Sequence, residues 1–106
     1  ALDSMPNLTA CVDVGNFFRS GVDPAEAIRV IGDRVREIHV KDVDANGEHT
    51  LLGDGEIDLP SIVQALKDVG YGGPVTLEYG GYPDDIPRRI ESIAENGRRL
   101  ARLLGA

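Results

Sequence analysis

The sequence predicts an α/β fold with a parallel sheet. Three observations carry that expectation. A short strand, a polar glycine-bearing loop and an amphipathic helix follow one another three times. The first two helices open at an aspartate and close at a glycine. The second and third strands alternate aliphatic with polar residues, as a strand does when its two faces meet different surroundings.

The first strand spans 8–13 and is rich in small and β-branched residues; its loop runs through Gly15 and Gly21. Asp23 caps the first helix, Pro24 suits its first turn, and Glu26 stands three residues after the cap. Ala27, Ile28 and Ile31 form its apolar face, and Gly32 ends it. In the second strand, 35–41, Ile38 and Val40 point one way and Glu37, His39 and Lys41 the other. A long loop, 42–57, carries Gly47, Gly53 and Gly55. Asp58 then caps a helix with Ile62, Leu66 and Val69 on one face, ended by Gly70. The turn from Tyr71 to Pro74 feeds the third strand, 75–79, where Val75, Leu77 and Tyr79 share one face and Thr76 and Glu78 the other. The last helix covers about 85–104, with Ile86, Ile90, Ile93, Gly97, Leu100 and Leu104 at helical spacing.

Asp13, His39 and Glu78 fall near the C-terminal ends of their strands, opposite their aliphatic neighbours. Aliphatics toward outer helices and polar groups toward an axis is the arrangement of a (β/α)8 TIM barrel, whose active site lies at those strand ends. Eight such units take about 250 residues, and three strands cannot close a barrel. The chain is therefore expected to be about three C-terminal βα units, with residues 1–106 forming the C-terminal part of a longer barrel. Alone, it is expected to self-associate or lose order unless the N-terminal half of the barrel joins it.

The net charge of −7 argues against a nucleic-acid partner, which calls for a basic face. No apolar run approaches the length of a membrane span. The single cysteine, Cys11, excludes an intrachain disulfide and fits a reducing, cytoplasmic setting.

Two carboxylates and an imidazole make a mixed oxygen and nitrogen donor set suited to a divalent ion such as Mn²⁺, Mg²⁺, Co²⁺ or Zn²⁺. Singly, Asp13 reads as a cap, His39 as a packed histidine and Glu78 as an edge-strand carboxylate. What sets them apart is that one barrel geometry brings all three together.

Four motifs occur in order: Val12-Asp13-Val14-Gly15-Asn16, Glu37-Ile38-His39-Val40-Lys41-Asp42, Leu52-Gly53-Asp54-Gly55-Glu56-Ile57-Asp58, and the run from Gly70 to Glu78. Together they resemble the C-terminal half of the sugar phosphate isomerase/epimerase family, the xylose isomerase-like TIM barrels. That superfamily also holds ketose 3-epimerases, inosose dehydratases and the endonuclease IV type of apurinic-site nuclease. The resemblance implies that Asp13, His39 and Glu78 bind metal and that Glu78 also exchanges a substrate proton. It implies a fourth ligand, a glutamate, from a strand before this chain. The family's Asp-x-x-His pattern reads Asp13-Val14-Gly15-Asn16 here. Asn16 can hydrogen-bond a sugar oxygen but cannot shuttle a proton near neutral pH. Asn16, and Gly47 where the nuclease branch has an aspartate, count against that branch.

Lys41 shares the His39 face. It either holds a substrate anion or neutralises an enediolate oxygen, or it pairs with a neighbouring carboxylate. Asp42 reads as a loop residue orienting His39. Gly53 and Gly55 read as a tight turn, since Asp54 and Glu56 would repel a phosphate. His49 reads as a loop histidine, Arg88 and Arg89 as a solvated helix face, and Cys11 as a small filler of the barrel interior.

The expected function is that of a metal-dependent sugar or sugar phosphate isomerase or epimerase, transferring a proton through a metal-held enediolate. Glu78 and Lys41 carry the chemistry and Asn16 and Lys41 position the sugar. The alternatives are an endonuclease IV-like metal-dependent phosphodiesterase and a non-catalytic α/β assembly or binding module.

Overall fold

A computed structural model describes residues 7–105. Strands β1 (Ala10–Asp13), β2 (Val35–Val40) and β5 (Val75–Leu77) form a parallel sheet in the order β1-β2-β5. Helix α1 (Val14–Arg19) follows β1 directly, and α2 (Pro24–Ile31) returns the chain to β2. Strands β3 (Asp42–Val43) and β4 (His49–Thr50) form a small antiparallel hairpin. Helices α3 (Leu59–Asp68) and α4 (Ile86–Leu103) complete the order.

The caps Asp23 and Asp58 fall where the sequence puts them, and Asp85 adds a third. Asp23, Asp58 and Asp85 accept from the backbone N–H of Ala25, Ser61 and Arg88 at 3.0, 3.2 and 3.1 Å, and each of these helices carries a proline in its first turn. Gly32 stops α2 with φ of 64°, a left-handed conformation that a glycine adopts without penalty.

The aliphatic side of the sheet meets α2 and α3, which pack against each other. Val12, Ile38, Val40, Ile28, Ile62, Ala65 and Leu66 are buried in this one core. The other side carries Asp13, His39 and Lys41 and has no helical layer among the described residues. The radius of gyration, 14.4 Å, exceeds the about 13 Å of a compact domain of this length, as a section of barrel wall should. The chain is thus a partial (β/α)8 barrel of three parallel units. No helix among the described residues is long and apolar enough to cross a membrane.

The structure adds a short helix and a hairpin to the expected set, besides a 3-10 turn at Gly32–Arg34. Where a loop is expected after β1, α1 makes a turn and a half of helix; it is too short for apolar periodicity to reveal. Within 42–57 the β3–β4 hairpin forms around Asp44, whose Oδ1 accepts from the N–H of Asn46 and Glu48 at 2.8 and 3.0 Å, with Gly47 at φ 80°.

Candidate active site

Parallel pairing sets the site. Asp13 is the register partner of His39, and His39 of Thr76. The Glu78 N–H donates to the Val40 carbonyl at 2.9 Å, extending the β2–β5 ladder by one bond and bringing Glu78 level with the end of β2. As a result one oxygen of Asp13, one ring nitrogen of His39 and one oxygen of Glu78 lie within 4.8 Å of one another.

Asp13 has two tasks. As the N-cap of α1 it accepts the Asn16 N–H on Oδ1 at 3.0 Å, which fixes its rotamer. Its Oδ2 lies 3.2 Å from Lys41 Nζ. The cap reading of this residue is thus observed, and the same side chain also faces the cluster at the strand ends.

Lys41 is the most buried charged group of the cluster, its side chain only 4% exposed. Nζ stands 3.2 Å from Asp13 Oδ2 and 3.2 Å from Glu78 Oε1. Of the two roles open to Lys41 in the sequence, the pairing with carboxylates is the one observed. Its stem crosses Gly15, where an added Cβ would come within 2.4 Å of Cδ.

The His39 ring stands between two carboxylates. Nε2 faces Glu37 Oε1 at 2.9 Å and Nδ1 faces Glu78 Oε2 at 3.3 Å. The hydrogen bond to Glu37 raises the His39 pKa above its ordinary value; partial burial opposes this and the bond to Glu78 adds to it.

Asp42 does not orient His39. It is buried and organises the loop that follows instead. Oδ1 accepts from the N–H of Val43 and Ile57 at 3.0 and 3.2 Å, and Oδ2 from Gly53 and Gly55 at 2.8 and 3.0 Å. The two glycine N–H groups are thus engaged internally, and a Cβ on Gly55 would meet Asp42 Oδ1 at 2.3 Å. The turn reading of Gly-x-Gly holds, with the aspartate as the anion it encloses. Arg88 and Arg89 pair with Asp85 and Asp84 at the exposed start of α4. Cys11 is exposed on the open face of the sheet.

Four further residues make contacts in the segments that follow β4 and β5. His49 Nδ1 accepts the Gly80 N–H at 3.2 Å. Tyr79 packs edge-on against Tyr82, ring centroids 4.2 Å apart. Buried Asn96 accepts the Leu52 N–H at 2.9 Å. The signal for Asn96 is in the sequence: it is a polar residue on the apolar stripe of α4, between Ile93 and Leu100.

The donor set fits a divalent cation. Two carboxylates and an imidazole converge, and the ammonium of Lys41 already lies between the two carboxylates, so the cluster accommodates positive charge.

Comparison with known proteins agrees with this fold. The xylose isomerase-like TIM barrel model matches residues 1–103. An inosose dehydratase of Lacticaseibacillus casei is 32% identical over 84 residues, covering 62% of this chain and 28% of that protein. The crystal structure of a xylose isomerase domain protein from Planctomyces limnophilus superposes with a TM-score of 0.73 at 30% identity, over 92% of this chain and 38% of that one. A D-psicose 3-epimerase crystallised in the presence of D-fructose shares the fold, with a TM-score of 0.75 at 19% identity over 94% of this chain and 39% of that one. The chain spans well under half the length of each of these relatives. From the family match and the strand-end geometry together, this chain belongs to the xylose isomerase-like TIM barrel family.

Proposed function

We propose that this chain is the C-terminal part of a longer barrel and supplies most of the site of a metal-dependent sugar isomerase or epimerase. One observation carries the reading: Asp13, His39 and Glu78, at or just past the ends of three neighbouring parallel strands, have ligand atoms within 4.8 Å of one another. Those three side chains would hold the divalent cation, together with a ligand from a strand outside this chain. When bound, the cation supplies Lewis acidity to a substrate carbonyl and its neighbouring hydroxyl.

The chain's own groups account for the proton transfer. Glu78 Oε1 and Oε2 face Lys41 and His39, so the carboxylate is held from two sides while its side chain stays 43% exposed. It can take a proton from the carbon beside the carbonyl and return it. Lys41 positions Glu78 and offers its ammonium to the oxygen that gains negative charge. Asn16, exposed at the start of α1, binds a sugar hydroxyl. Small sugars or sugar phosphates are the substrate class.

The inosose dehydratase relative favours one variant of this chemistry. A dehydratase removes the same kind of proton and then expels hydroxide from the next carbon. Glu78→Gln should abolish exchange of substrate hydrogen with solvent deuterium in the full-length enzyme; exchange that survives removes Glu78 from the proton transfer. Loss of water from the substrate would distinguish dehydration from epimerisation.

A further inference from the structure

A second donor cluster meets the opposite edge of the His39 ring. Cys11, Glu37 and His39 each offer a ligand atom within 4.8 Å of the others. Cys11 and Glu37 are register partners across β1 and β2, so their side chains rise side by side. Each lies two residues before a member of the first cluster, and strand alternation keeps all of them on one face. In this chain Cys11 is exposed and the Glu37 side chain is 48% exposed.

We propose that Cys11, Glu37 and the Nε2 edge of His39 form a separate site for a thiophilic divalent cation such as Zn²⁺ or Co²⁺, which competes with the Asp13–His39–Glu78 cluster for the single lone pair of the His39 ring. Thiolate, imidazole and carboxylate with an open fourth position is a zinc-type donor set. On binding, the Cys11 S–H bond gives way to a sulfur–metal bond and the proton leaves to solvent. A neutral imidazole has one nitrogen free to ligate and one that carries hydrogen. A histidine ligand ordinarily donates that other N–H to a carboxylate. His39 has such a carboxylate on each side: with a cation on Nε2, Nδ1–H faces Glu78, and with a cation on Nδ1, Nε2–H faces Glu37. The ring is therefore prepared for either occupancy and excludes both at once. Cys11 and Glu37 take no part in the proposed isomerase chemistry, so the thiolate site is independent of that reading, whereas the competition for His39 rests on it.

The test is a titration of the purified full-length protein with Co²⁺, followed by thiolate-to-cobalt charge-transfer absorption. A saturable band is expected in the wild type, absent in Cys11→Ser and retained in Asp13→Asn. Excess Mn²⁺ should lower the band in the wild type and leave it in Asp13→Asn. Glu37→Gln, which keeps the thiol, should weaken Co²⁺ binding about tenfold or more. It serves as the deciding variant if Cys11→Ser does not fold. No thiolate band, a band unchanged by the deciding variant, or a band lost in folded Asp13→Asn overturns the separate site. A band indifferent to Mn²⁺ overturns the competition for His39.

Discussion

A Cβ on Gly15 would lie 2.4 Å from Lys41 Cδ and 2.6 Å from its Cγ, so the stem of Lys41 runs where any other residue's side chain would begin. This close passage seats Nζ between Asp13 Oδ2 and Glu78 Oε1. The clash falls on the middle of a buried side chain, which cannot swing aside without moving its charged end. Gly15→Ala should therefore displace the ammonium and release Glu78, while the core of α2, α3 and the sheet stays intact. The expected outcome is a roughly 10- to 100-fold loss of turnover in the full-length enzyme with a small change in melting temperature. Turnover equal to wild type would mean that Lys41 does not position Glu78.

Asp42 should be the costliest single carboxylate to remove. Its two oxygens accept four backbone N–H groups, and two of the donors, Val43 and Ile57, are themselves buried. Asp42→Ala leaves these donors without an acceptor, at about 3–5 kcal/mol in total. Asp42→Asn keeps one acceptor oxygen and places an NH₂ against the remaining donors, so it should fall between. Urea denaturation gives the answer: a lower midpoint with an unchanged slope matches the argument.

His39 should titrate above the about 6.5 of an ordinary imidazole, because its protonated form donates to Glu37 and, more weakly, to Glu78. The sign for stability follows. With the folded pKa raised, the contribution is complete below about pH 6.5 and is lost as pH rises through the folded value. Metal binding runs the other way, since ligation needs the unprotonated ring, so Mn²⁺ affinity should weaken as pH falls through the same midpoint. Proton NMR of the His39 ring locates that midpoint, and Glu37→Gln should move it down. A midpoint at or below 6.5 in the wild type would contradict the bridged arrangement.

Calorimetry with Mn²⁺ tests the first cluster directly. Saturable Mn²⁺ binding should disappear in His39→Ala and fall at least tenfold in Asp13→Asn, which loses a negative ligand. Mn²⁺ binding unaffected by His39→Ala would place the cation elsewhere.

Much of this was legible in the sequence, for reasons that differ by residue. The three parallel strands, three of the helices and the caps Asp23 and Asp58 follow from alternation, apolar spacing and Asx–proline signals, all of them local. The convergence of Asp13, His39 and Glu78 was legible because parallel strands put equivalent ends at one level. Lys41 was placed on the right face, but which carboxylates it meets depends on pairing between strands. Helix α1 escaped because six residues are too few for a period. Asp42 was misassigned because its partners lie up to 15 residues ahead, in a loop whose path its own hydrogen bonds determine.

The open side of the sheet and the outer face of α4 govern how the isolated chain behaves. Ile86, Ile90 and Ile93 are 68, 62 and 46% exposed, one stripe of a helix that leaves its apolar residues largely uncovered. Among the described residues β1 and β5 are the outer strands of the parallel sheet, each with an unpaired edge. Parallel sheets are normally covered on both faces, and among the described residues Cys11 and Glu37 on one face are left exposed. Sedimentation velocity at tens of micromolar should therefore show species heavier than the 11.4 kDa monomer. Replacing Ile86 and Ile90 with lysine should shift the distribution toward monomer if the helix face drives association, and leave it unchanged if the sheet edges do. A monodisperse, well-folded wild-type monomer would mean that three βα units are stable without the rest of a barrel, and the chain would then have to be treated as an autonomous domain.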